Sequence, residues 1–91
     1  MRDVIAVNQS VYFTVAAVAR ILDRSRVTVR RWVESGVLRA SKPGRHLLVK
    51  QGELLRFVRH SRDKRDFAHG ATERIKRRAR EASRQERKGD G

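Results

Sequence analysis

The chain has 91 residues, 38% of them hydrophobic and 5% aromatic, so it can build one small aliphatic core; with no cysteine, a disulfide scaffold and a cysteine-ligated zinc site are excluded. A formal net charge of +13 opposes compaction by self-repulsion and points to a polyanionic partner, without choosing among DNA, RNA and a membrane surface. The N-terminal MRDVIAVNQS is too short and wrongly flanked for a signal peptide, and no apolar run nears the roughly 20 residues that span a bilayer, so a cytoplasmic protein is expected.

The composition changes near residue 59. Residues 1–58 hold 11 basic and 4 acidic side chains and nearly all the large apolar ones, whereas 59–91 hold 12 basic and 6 acidic, with Phe67 and Ile75 as the only large apolar residues. The expected division is an N-terminal arm over 1–10, a folded domain over 11–60 and a basic C-terminal helix or tail over 61–91.

Thr14 is placed to cap a helix over about 15–22, in which Val15, Val18, Ala19 and Leu22 recur at i, i+3, i+4 and i+7. Asp23, Arg24 and Ser25 break that period, and Ser25 caps a second helix over about 26–35 whose Val29, Trp32 and Val33 form another inward stripe. Gly36 stands where a helix C-terminus favours positive φ. Two helices joined by so short a turn have the spacing of a helix-turn-helix. Next, Val37–Ser41 and His46–Val49 flank Lys42-Pro43-Gly44-Arg45, which predicts a β-hairpin with a basic tip. A third helix over about 51–60 turns Leu54, Phe57 and Val58 inward. After Gly70, Thr72 is placed to cap a helix over about 73–87 with a thin apolar line of Ala71, Ile75, Ala79 and Ala82. That line carries too little surface for independent stability, so the helix is expected to dock on a partner, DNA or protein; a solvated tail is the other expectation.

At about 100° per residue, the inward stripe of the second helix leaves Val27, Arg30, Arg31 and Glu34 on the opposite face, flanked by Arg26 and Thr28. An arginine can lie bidentate on guanine O6 and N7, and Val or Thr methyls can meet a thymine methyl. Val27 is the telling residue, because a β-branched apolar side chain gains nothing from facing water. Lys42, Arg45 and His46 around Pro43-Gly44 suit phosphate contacts or insertion into a minor groove. An ordinary solvated surface is the alternative at both places. Trp32 is read as a core anchor, with Tyr12 and Phe13 covering the same core. His46, His60 and His69 do not form a ligand set, and so small a core leaves little room for a catalytic pocket. No metal, cofactor or enzymatic activity is therefore expected.

The run Tyr12-Phe13-Thr14-Val15-Ala16-Ala17-Val18-Ala19-Arg20-Ile21-Leu22, followed by Ser25-Arg26-Val27-Thr28-Val29-Arg30-Arg31-Trp32-Val33-Glu34-Ser35-Gly36, resembles the MerR-like helix-turn-helix of phage excisionases. The likeness continues through Leu38-Arg39-Ala40, Gly44-Arg45-His46 and Glu53-Leu54-Leu55-Arg56-Phe57-Val58, covering roughly residues 11–60. It implies a mainly α fold with a small β-hairpin wing, a winged helix-turn-helix, to which a basic C-terminal helix is added. In that family the helix beginning at the Ser-Arg step, here Ser25-Arg26, enters the major groove. The resemblance thus implies DNA-reading roles for Arg26, Val27, Thr28, Arg30 and Arg31, and a phosphate or minor-groove role for Arg45; Ser25, which opens that helix, and Lys42 and His46 of the tip are expected to bind DNA with them.

Four features depart from the family pattern. Asp23-Arg24 replaces the usual Gly and small apolar residue of the turn, and Ala17 replaces an acidic residue common in the first turn of helix 1. Leu48 stands where the wing strand usually shows a polar side chain; with Leu47 and Val49 facing the core, strand alternation turns Leu48 outward. The fourth is the long basic C-terminus. Leu48 and Ile75 are accordingly the candidate contacts between copies on DNA.

The resemblance implies a non-catalytic architectural protein that binds and bends attachment-site double-stranded DNA, directing phage integrase toward excision. The alternative is a transcriptional repressor using the same domain. An RNA-binding or membrane-surface role for the tail is disfavoured, since exposed stacking aromatics and a bulky apolar helix face are both lacking.

Overall fold

A computed structural model describes residues 4–8, 10–42, 45–60 and 70–90. Strands β1 (Val4–Val7) and β2 (Ser10–Thr14) lead into helices α1 (Val15–Leu22) and α2 (Arg26–Glu34). Strand β3 (Leu48–Lys50) and helices α3 (Gln51–His60) and α4 (Ala71–Asp90) follow. The fold is a winged helix-turn-helix, mainly helical, with a three-stranded antiparallel sheet.

The helix-turn-helix forms where apolar spacing and caps place it. Thr14 Oγ1 accepts the Ala17 N–H at 3.1 Å, so β2 ends and α1 begins at one residue. Asp23 closes α1 in the left-handed conformation (φ 56°, ψ 52°), its N–H and that of Arg24 both donating to the Ala19 carbonyl. Aspartate is among the few side chains that tolerate this conformation, so the turn keeps its left-handed residue without glycine. Ser25 Oγ accepts the Thr28 N–H at 3.1 Å and starts α2. At its far end Gly36 takes φ 85°, and the Leu38 N–H returns to the Trp32 carbonyl at 3.1 Å, burying Leu38.

The sheet departs from expectation in two ways. The arm expected over 1–10 does not hold for Val4–Val7, which pair antiparallel with β2, Val4 opposite Phe13 and Val7 opposite Ser10. Between the strands Asn8 adopts φ 50°, the positive value tight hairpin turns require. The expected wing hairpin is reduced on its outgoing side to a single bridge, Ser41 with Leu48, closed by hydrogen bonds of 2.8 and 2.7 Å. Its return side is β3, which pairs instead with β2, Phe13 opposite Val49 and Thr14 opposite Leu48. The reason is burial: Phe13 and Val49 are both fully enclosed, and only side-by-side pairing puts both on the core face. The turn residues 43 and 44 lie outside the described residues.

Phe13, Val18, Leu22, Val29, Leu38, Val49 and Leu54 form the centre of the core, and α4 supplies one further member, Ile75. The expectation that α4 requires DNA or another protein is therefore corrected. Ala71, Ile75, Ala79 and Ala82 are all buried in this same domain, where α4 packs on β1, β2, α1 and α3. The three alanines let the helix backbone approach closely, and full burial of one isoleucine contributes about 1.5–3 kcal/mol. Across the sequence, Arg74 Nη1 donates to the Ile21 carbonyl at 3.1 Å and ties α4 to the end of α1. The helix also starts earlier than expected, so Thr72 lies inside its first turn; Gly70, at φ 82°, accepts the Arg74 N–H at 2.8 Å.

Candidate DNA-binding face

On α2, Val29 faces inward with no exposure, and the half-buried Trp32 and Val33 pack beside it. Arg26, Arg30, Arg31 and Glu34 are exposed, as is Val27, at 61%. The outward face thus carries the residues that helical spacing assigns to it. Thr28 is half-buried, its hydroxyl 3.0 Å from Ser25 Oγ, so these two hydroxyls serve the start of the helix. A hydroxyl keeps spare hydrogen-bonding capacity in such a pair.

The outward residues divide between two flanks. Arg26, Arg30 and Glu34 line one wall of a groove of about 550 Å³. Across it stand Lys42, Arg45 and His46 of the wing, all exposed. Val27 and Arg31 lie outside this groove, on the crest of the helix. The arrangement gathers four permanent cations around one carboxylate, Glu34, with two forked guanidiniums on a rigid helix. Such a surface suits a polyanion, since a forked guanidinium can pair with a phosphate or a base edge and an ammonium with a phosphate.

Sequence reading missed the groove's third side, the first turn of α1, where Thr14, Val15 and Ala16 contribute. Their position depends on how α1 packs against α2, for which linear spacing carries no signal. Ala17 points elsewhere, buried toward α4 beside Ile21 and Arg74.

The two candidate contacts between copies separate. Ile75 has no exposed surface, its neighbours being residues of its own chain, so it is not available to a second copy. Leu48 is half-buried on β3, opposite Thr14 and bridged to Ser41. Among the described residues there is no group of three or more His, Cys, Asp or Glu placed to hold a metal, and no helix is long and apolar enough to cross a membrane. His69 lies outside the described residues.

A family model described as a helix-turn-helix domain matches residues 12–62, more than half of the chain and the segment that builds α1, α2, the wing and α3. No curated protein and no solved structure matches the chain. With its two capped helices, left-handed turn and basic outward face, the chain belongs to the helix-turn-helix domain family of DNA-binding proteins.

Proposed function

We propose that this protein is an excisionase: a non-catalytic architectural protein that binds attachment-site DNA in the bacterial cytoplasm and directs a phage integrase toward excision. The observation that carries the DNA-binding part is the groove in which Arg26 and Arg30 of α2 face Lys42, Arg45 and His46 of the wing. In this reading α2 lies in the major groove, with Arg26, Val27, Thr28, Arg30 and Arg31 at base edges, and Arg45 holds a phosphate or enters the minor groove. The matched family includes excisionase-like DNA-binding domains, which supports the narrower assignment.

Bending a site of 20–30 bp through 40–90° takes on the order of 1–6 kcal/mol, much to ask of one domain this small. Several copies side by side share that deformation. Cooperative binding to closely spaced direct repeats follows, with the outward side of β3 around Leu48 as the meeting surface.

Two measurements test this. DNase footprinting on an attachment-site fragment should give a protected tract spanning several sites, whereas one isolated footprint contradicts cooperative assembly. Integrase-dependent excision in vitro should require the protein. Excision that proceeds equally without it, with DNA binding intact, assigns the domain to transcriptional control instead.

A further inference from the structure

A second basic surface lies on α4. Lys76, Arg80 and Arg84 follow one another at four-residue spacing along one flank, spanning about 12 Å of helix. With Ser83 of α4, Gln51 at the start of α3 and Val11 of β2, they border a hollow of about 560 Å³ that no carboxylate among the described residues lines. All three cations are exposed, and none has a hydrogen-bond or ion-pair partner among the described residues. Three like charges on one flank, none in an ion pair among the described residues, raise the energy of the folded chain, which a bound polyanion relieves.

This flank is separate from the groove of α2. The two hollows share no described lining residue, the one on α4 being bordered by β2 and α3 and the other by the first turn of α1 and the wing. The buried line of Ala71, Ile75, Ala79 and Ala82 fixes the rotation of α4, so its cations have a set direction on the domain. A rigid row of exposed cations beside a hollow with no aromatic among its described lining residues suits the sugar-phosphate backbone of duplex DNA, recognised without regard to sequence.

We infer that the Lys76–Arg80–Arg84 flank of α4 is a second DNA-backbone site, so that one protomer holds two duplex segments, one in the α2–wing groove and one along α4. The inference rests on the DNA-binding reading of that groove. Two duplex segments brought together by single protomers give a bent or looped site a brace that the helix-turn-helix alone does not provide.

The test is duplex bridging at one fixed salt concentration. A biotin-tagged duplex on beads is loaded with the full-length protein and challenged with a fluorescent duplex of unrelated sequence. Wild type should capture the second duplex. K76A/R80A/R84A should bind the bead-held duplex as wild type does and lose capture to background. Alanine at exposed helix positions preserves α4, and a thermal melt followed by circular dichroism checks this. K76R/R80K/R84K should retain capture, because either cation can serve a phosphate. Capture undiminished in the triple-alanine variant overturns the inference and locates bridging in contacts between copies. So does wild type without capture, the result expected if α4 meets an acidic protein instead, and so does a triple-alanine variant that loses the first duplex as well. R26A/R30A tests the parent reading separately: unaltered binding by that variant defeats the groove assignment whatever α4 does.

Discussion

The ring of Trp32 lies 4.8 Å from that of Phe57 at a tilt of 44°, fastening the inner side of α2 to α3. Both side chains are half-buried at the margin of the core, so this contact joins α2 to α3 alongside the packing of α2 on α1. Phe57→Leu keeps an apolar side chain there but removes the aromatic pairing, a loss of about 0.5–1.5 kcal/mol. Trp32 is the sole tryptophan, so its fluorescence through a urea titration reports the change directly. The midpoint should fall with the slope retained; an unmoved midpoint contradicts the coupling.

Ile75 belongs to the core of its own chain, and Ile75→Ala should lower stability by about 2–5 kcal/mol. Since the contacts are intramolecular, the loss should be independent of protein concentration. Melting curves over a range of concentrations check both statements. A deficit that appears only at high concentration would restore Ile75 as a contact between copies.

The turn between α1 and α2 predicts two substitutions of opposite sign. Ser25→Ala removes the acceptor for the Thr28 N–H and should destabilise by about 0.5–2 kcal/mol. Asp23→Gly relieves a left-handed residue at φ 56° while adding freedom to the unfolded chain, for a net gain of at most about 1 kcal/mol. Chemical denaturation of the two variants beside wild type gives the signs. Loss of stability in both means that Asp23 is held by more than its backbone conformation.

Arg45 is exposed on the wing, and the proposal has it hold a phosphate or enter the minor groove. Arg45→Ala should weaken specific and random duplexes alike, and reduce the slope of log affinity against log salt by about 0.9. A selective loss on the specific duplex would move Arg45 to a base-reading role.

How much of this was legible in the sequence follows from how local each determinant is. Helices α1, α2 and α3 were readable because Thr14, Ser25 and Gly36 act within their own turns and the apolar spacing needs no distant partner. Strand β1 and the true partner of β3 were not, since both depend on Phe13 drawing Val4 and Val49 to its two sides. One local trace existed, Asn8 between the apolar run Val4–Val7 and the run from Val11 to Phe13. The apolar line of α4 was visible, but Ile75 with its three alanines looks the same whether it meets its own sheet or a foreign surface. On the DNA-binding face, the exposure of Val27, Arg30 and Arg31 was dictated by helical rotation. The groove shared by Arg30 and Arg45 was not, because a wing position is set by tertiary packing.

Base reading by the outward arginines of α2 is the proposed property on which the others depend. Its most direct test is Arg30→Ala, titrated at fixed salt against the best site found by footprinting and against a scrambled duplex. The preference between the two duplexes should shrink by about 1–3 kcal/mol, chiefly through weaker binding to the specific site. Wild-type affinity on both duplexes with an unaltered preference would contradict the account.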